Sequence, residues 1–211
     1  MPIITSSQWD DFSLSRSDVH LLQTSMWGEL KNQFGWHAVH FLSGSIGAQV
    51  LFRRLPFGFH IAYIPKGPVG HDWNCLWPEI HAYCQRNRTV FLRVEPDLEE
   101  LIESDYLDQL QGFVMVNDTI QPRQTIYIDI SGSPEVWLAR MKQKSRYNTR
   151  LAEKKDIRVS ESRDFDAFDQ LMQKTGERDG FGVHTLDYYR SAYQAFEKKG
   201  NVALLQAEFS G

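Results

Sequence analysis

Trp36-His-Ala-Val-His-Phe-Leu42 and Ala48-Gln-Val-Leu-Phe-Arg53, separated by Gly44-Ser-Ile-Gly47, are the stretch on which the fold turns. Both flanks are rich in β-branched and aromatic residues, and a four-residue linker with two glycines predicts an antiparallel hairpin. Downstream, Phe59–Ile64 is a third strand, stopped by Pro65-Lys-Gly-Pro68. Asp72–Arg86 is an amphipathic helix with Asp72 as its cap and Leu76, Ile80 and Cys84 facing inward. Val90–Val94 follows as a short strand ended by Glu95-Pro-Asp97. Upstream, the polar Ser6–Ser17 stretch predicts a short helix and a loop. Ser25–Phe34 predicts a helix capped by Thr24 or Ser25 and stopped by Gly35, with Trp27, Leu30 and Phe34 on one face and Lys31 at its edge. Strands with interleaved helices make this an α/β chain with a mixed sheet.

The second half repeats the theme with more charge. Leu98–Leu110 predicts one or two short helices. Gln124–Ile130 alternates Ile126, Ile128 and Ile130 with Tyr127 and Asp129, which predicts a half-buried strand. Ser133 and Pro134 suit the cap and first turn of a long helix running to about Lys155. Ile157–Ser160 is extended, Phe165–Arg178 and Leu186–Lys199 are helices separated by Asp179–Gly182, and Val202–Phe209 is a strand. One strand and two amphipathic helices cannot bury their own faces. We therefore expect an N-terminal domain over residues 1–155, ending in the long basic helix, and an incomplete second domain over residues 156–211.

The 211 residues include 23 basic and 27 acidic side chains, a net charge of −4, with 42% hydrophobic and 24% charged residues. That is globular composition and excludes a disordered or fibrous chain. No apolar run reaches the roughly 20 residues of a membrane-spanning helix. The opening Met-Pro-Ile-Ile-Thr-Ser-Ser lacks a basic and apolar leader, so the expected location is cytoplasmic. The charge is unevenly placed. Residues 140–155 hold seven basic residues and only Glu153 as an acid, a net of +6 against −10 for the rest. Lys142, Arg146, Arg150 and Lys154 recur every four residues as a stripe. Such a stripe is either a solvated surface or a face for phosphates; nucleic acid, a nucleotide diphosphate and an anionic membrane surface satisfy it equally.

Two cysteines, Cys75 and Cys84, exclude a disulfide framework and a four-thiolate zinc site. His71, Cys75, His81 and Cys84 are metal-ligand types, but on one helix the outer two would lie about 20 Å apart, so no metal is expected. Nucleophile-elbow, Walker A and dinucleotide-binding glycine motifs are missing, as is the pyrophosphate loop of coenzyme A acetyltransferases. No nucleophile–base pair emerges from spacing.

Six short stretches, in order, resemble the Fem family of peptidoglycan-bridge aminoacyltransferases. They are Leu22-Gln-Thr-Ser-Met-Trp-Gly-Glu-Leu-Lys31 with Gly35-Trp36, Tyr63-Ile-Pro-Lys-Gly-Pro-Val69, Leu92-Arg-Val-Glu-Pro-Asp97, Gln121-Pro-Arg-Gln-Thr125 with Ile128-Asp129, Met141-Lys-Gln-Lys-Ser-Arg-Tyr-Asn-Thr-Arg-Leu-Ala152, and Arg178-Asp-Gly-Phe181 with His184-Thr-Leu-Asp-Tyr-Tyr189. The resemblance implies two GNAT-like (acetyltransferase-like) α/β domains, the second only begun here. It implies transfer of an aminoacyl group from aminoacyl-tRNA to the peptide stem of a UDP-linked or lipid-linked peptidoglycan precursor, without cofactor or metal. An aminoacyl ester is already activated, so the protein has to orient the amine, let a proton leave and stabilise an oxyanion. The family's catalytic Lys and aromatic belong to the second domain beyond Gly211, and no catalytic residue is assigned here.

For precursor binding, the resemblance carries over Lys31, which reaches the nucleotide–sugar part, and the pair His184 and Tyr188. Better-known members have Arg at the first of that pair. An unperturbed imidazole is mostly neutral at pH 7 and serves a phosphate less well, so Arg178 is the candidate replacement. By the same resemblance the long basic helix leads into the second domain, and Lys142, Arg146 and Arg150 would meet tRNA or the headgroups of the inner membrane surface. Two alternatives stand beside this: an acyltransferase of the same fold acting on another amine, and a non-catalytic module that binds a nucleotide-sugar or a partner.

Overall fold

The computed structural model describes residues 3–98, 108–122 and 124–209, and the chain divides into two compact units, Met1–Arg123 and Gln124–Gly211. The division falls some thirty residues before the expected boundary at 155, because the basic segment clusters with the second unit.

The first unit is a five-stranded sheet of β1 (Ile3–Ile4), β2 (Trp36–Ser43), β3 (Ile46–Arg54), β4 (His60–Pro65) and β5 (Thr89–Glu95), in that spatial order. The first four strands pair antiparallel and β5 joins β4 in parallel, so the sheet is mixed. The hairpin pairs Trp36 with Arg53 through Ser43 with Ile46. Alternation then sorts the side chains: Val39, Phe41, Ala48, Val50, Phe52, Ala62 and Ile64 enter one core. Helix α3 (Trp77–Arg86) covers that face with Trp77, Ile80 and Cys84, joined by Leu76 just before it. Its start differs from the expected Asp72. Asp72 adopts a left-handed conformation with no side-chain cap bond, Trp73–Cys75 form a 3-10 turn, and the α-helix begins only at Trp77 with Pro78 in its first turn.

The opposite face takes α1 (Ser6–Leu14) and α2 (Ser25–Asn32). Thr5 and Gln8 form a capping box on α1, and Thr24 caps α2 through the Trp27 amide. Trp9 is wholly buried and donates its indole N–H to the Gln23 carbonyl at 2.7 Å. Gly35, at φ 81°, ends the α2 segment in the left-handed conformation that glycine adopts most easily.

The second unit has α4 (Pro134–Arg140), α5 (Gln143–Lys154), β6 (Arg158–Glu161), α6 (Phe165–Asp179), α7 (Leu186–Glu197) and β7 (Leu205–Glu208), with β6 and β7 antiparallel. Two expectations fail here. Gln124–Ile130 is not a strand; Ile126, Ile128 and Ile130 are exposed, because alternation supplies a period but no ladder partner. The long helix is also broken. Met141 and Lys142 are extended, and the Arg146 guanidinium turns back so that Nη1 donates to the carbonyls of Leu138, Ala139 and Met141 at 3.2–3.3 Å. An arginine side chain thereby serves the helix end that a continuous helix would have satisfied itself. The expected helices over Leu98–Leu110 lie largely outside the described residues.

Candidate functional site

Lys31 occupies the last turn of α2, and what fixes it is the closeness of that helix to the sheet. Gly28 lies one turn earlier, on the sheet side. A Cβ at Gly28 would fall 2.4 Å from Gln49 Oε1 and 2.9 Å from Ala38 Cβ. Leu30 is wholly buried beside it. Lys31 Nζ stands 5.5 Å from the Trp27 ring centroid, a cation–π distance one helical turn back. Burial pushes the Lys31 ammonium below its ordinary value, and the charge of Arg53 adds to the effect. Arg53 itself lies over Trp36, 5.7 Å from the ring centroid. A half-buried ammonium that feels a second positive charge suits an anionic ligand.

Beneath α2 runs a buried polar network. Gln23 Nε2 donates to the Pro65 carbonyl at 2.7 Å and its Oε1 accepts the Gln49 amide at 2.8 Å. Gln49 Nε2 donates to the Leu22 carbonyl at 3.1 Å, which leaves Gln49 Oε1 to accept His40 Nε2–H at 2.8 Å. Burial holds His40 below its ordinary value, and it stacks on Trp9 at 5.2 Å between centroids. Along β4 and β5, Tyr63 donates its hydroxyl to Glu95 Oε2 at 2.6 Å, while the amides of Ile120 and Gln121 donate to the same carboxylate at 2.7 and 3.0 Å. Burial raises the Tyr63 phenol. It works against ionisation of Glu95 as well, but there the hydrogen bonds and Arg93 win, and the carboxyl is lowered. Lys66 pairs with Asp97 at 3.1 Å. Sequence reasoning gave these residues no role: Gln23, Tyr63 and Glu95 lie in the stretches that carry the resemblance, and for Gln49 the signal is polarity in the wrong place, inside the apolar run Ala48–Phe52.

In the second unit, the His184 and Tyr188 rings stack at 3.9 Å between centroids and 19° between planes. Thr185 caps α7 and so sets the turn that brings them together, and the His184 amide donates to the Tyr189 hydroxyl at 3.3 Å. Burial, and then Tyr189, raise the Tyr188 phenol. Arg178, at the end of α6, forms a two-pronged ion pair with its neighbour Asp179, both contacts at 2.8 Å. Its charge is therefore already answered locally. Among the described residues no three His, Cys, Asp or Glu side chains gather as a metal site; Cys84 is buried and Cys75 exposed.

The model of the FemAB family matches residues 4–105 and 108–210, nearly the whole chain. The chain is a member of the FemAB family. It is 30% identical to the lipid II:glycine glycyltransferase of Staphylococcus aureus strain COL over 95% of its own length and 53% of that protein's. Identity to the enzyme of strain USA300 is 29% over the same shares. A crystal structure of FemX superposes with a TM-score of 0.81 at 28% identity, covering 98% of this chain and 57% of FemX. The fold is accordingly the mixed α/β, GNAT-like one, and the chain spans about half the length of these relatives. The first three of the six stretches that carried the resemblance meet in space within the first unit. Gln23 from the first grips Pro65 of the second, and Tyr63 and Lys66 of the second grip Glu95 and Asp97 of the third.

The expected nucleic-acid residues separate. Lys142 is the N-cap residue of α5 and Arg150 lies in its third turn, whereas Arg146 is committed to the end of α4. Among the described residues, Lys142, Lys144, Arg150, Lys154 and Lys155 form no ion pair, so the helix keeps most of its charge unneutralised.

Proposed function

We propose that this FemAB chain takes part in aminoacyl transfer from aminoacyl-tRNA to the peptide stem of a peptidoglycan precursor on the cytoplasmic side of the inner membrane. The observation that carries the reading is Lys31: a half-buried cation on a helix locked to the sheet, facing Arg53, in a chain whose relatives are named for glycyl transfer on lipid II. Lys31 binds the diphosphate of the precursor through charge-assisted hydrogen bonds. Within the second unit, taken by itself, the stacked His184 and Tyr188 rings are a candidate precursor contact of their own. Lys142 and Arg150 hold the tRNA backbone. The division of labour is positional. The ester brings the activation, and the side chains named here bind and orient, raising the local concentration of amine beside ester.

The test is a transfer assay with the full-length gene product and radiolabelled aminoacyl-tRNA, using a UDP-linked muropeptide and its lipid-linked counterpart as acceptors. Label on either acceptor, reduced tenfold or more by Lys31→Ala, is the expected result. Label appearing only on some other amine, or binding without transfer, overturns the reading.

A further inference from the structure

Between β3 and β4 the chain makes a tight turn, Leu55-Pro-Phe-Gly-Phe59, held by the Leu55 amide donating to the Phe59 carbonyl at 2.7 Å. At its tip Phe57 is 89% exposed, the most exposed of the large apolar side chains among the described residues. Its backbone is left-handed, φ 60°, a conformation that favours Gly or Asn and disfavours an aromatic. Nothing in the core asks for a phenyl ring there, and the backbone asks for something else.

On the chain flanking the turn, and at the end of α3 that meets it through Arg88, the charge has one sign. Arg53 and Arg54 end β3, and Arg86 and Arg88 lie at the end of α3 and just after it; all four are exposed. The Arg88 guanidinium lies 4.5 Å from the Phe59 ring centroid, and the His60 amide donates to the Arg88 carbonyl, so the two loops form one end of the unit. Among the described residues none of these arginines has an ion-pair partner. The sequence keeps acids away: no Asp or Glu occurs from Leu30 to His71, nor from Ile80 to Val94.

We propose that the Phe57 turn, collared by Arg53, Arg54, Arg86 and Arg88, is a docking surface for an anionic phospholipid bilayer, with Phe57 entering the acyl boundary and the arginines resting on the headgroup phosphates. An apolar tip in a basic collar matches the two layers of that target, apolar within and anionic above. Nucleic acid is the other polyanion. It would use the arginines but has no need of a single aromatic projected on a narrow turn with Pro56 and Gly58 beside it. Because Arg53 is near enough for its charge to act on Lys31, docking would bring Lys31 toward the headgroups, where the diphosphate of a lipid-linked precursor lies; this last step alone rests on the function proposed above.

The test is co-sedimentation of the protein with phosphatidylglycerol–phosphatidylcholine vesicles, compared with pure phosphatidylcholine vesicles and with single-stranded RNA. Phe57→Asn suits the left-handed backbone and touches no core residue, so folding should survive; circular dichroism melting checks this. Binding to the anionic vesicles, weakened about tenfold by Phe57→Asn and about fivefold by Arg54→Gln, supports the proposal. So does a Phe57→Trp variant whose added fluorescence is quenched by brominated lipid. No preference for the anionic vesicles, binding indifferent to Phe57→Asn, or RNA binding lowered by these variants while vesicles are ignored, overturns it. Vesicle binding that survives a failed transfer assay would reject the transfer reading and leave the docking surface standing.

Discussion

Gly28→Ala sets two physical effects against each other, and the structure decides the sign. Position 28 is inside α2, where replacing glycine by alanine ordinarily stabilises by about 1 kcal/mol through backbone entropy and helix propensity. Here the new methyl would sit 2.4 Å from Gln49 Oε1 and 2.9 Å from Ala38 Cβ, both well inside contact distance. Gln49 cannot swing aside cheaply. It is wholly buried, its Oε1 receives His40 and its Nε2 is committed to the Leu22 carbonyl. Either the network breaks, at about 1–3 kcal/mol for each buried group left unsatisfied, or α2 lifts from the sheet, with an overpacking cost of about 1–3 kcal/mol. After the propensity gain of about 1 kcal/mol, we expect a net loss of up to about 2 kcal/mol, since either cost matches or exceeds the gain. Urea unfolding followed by circular dichroism measures it as a lowered midpoint at unchanged m-value. Lifting α2 also displaces Lys31, so affinity for a UDP-linked muropeptide should fall with stability. A variant more stable than the parent by about 1 kcal/mol would refute the close seating of α2, and with it the argument that the sheet positions Lys31.

Three further outcomes follow from the same geometry. Burial holds His40 and His20 below their ordinary value of 6.5, so the unfolded chain takes up protons first. Stability is then full above about pH 6.5 and declines as pH falls through that value toward the folded-state values, by up to about 1.4 kcal/mol per pH unit per histidine. The lowered carboxyls of Asp18 and Glu95 act only nearer pH 4, so urea midpoints between pH 7 and 5 should show the histidine slope, and His40→Gln should flatten it. Charge reversal at Lys142 and Arg150 should weaken tRNA binding and reduce its salt slope by about 0.7–0.9 for each phosphate no longer neutralised. Arg146→Gln, whose parent side chain caps α4, should instead lower thermal stability with a smaller change in slope; equal slopes for all three would remove the distinction.

Most of the architecture was legible from period and punctuation. The hairpin, β4, β5 and the helices around Lys31 and His184 follow from alternation, three-and-four spacing and Thr or Gly at the ends, and they lie within a few residues of where those signals put them. What misled was local pattern with no tertiary partner. Ile126, Ile128 and Ile130 have the spacing of a strand, but among the described residues no strand pairs with them. The break at Met141–Lys142 carries no Pro or Gly to announce it; it exists because Arg146 can satisfy the carbonyls it exposes. For the candidate site, Lys31 was reachable only through resemblance, since a lone lysine at a helix edge is otherwise an ordinary solvated residue. His40 and Gln49 face each other across the hairpin, which strand pairing contains, but Gln23 joins them from a separate segment, and no spacing rule contains that.

The central claim is that the end of α2 presents Lys31 to the diphosphate of a nucleotide-linked precursor. Isothermal titration of the protein with a UDP-linked muropeptide, alongside Lys31→Met, which keeps the apolar stem and removes the charge, tests it most directly. Saturable binding to the parent is expected, with at least tenfold weaker binding to the variant, about the strength of one charge-assisted hydrogen bond. Equal affinity for the two proteins would contradict it.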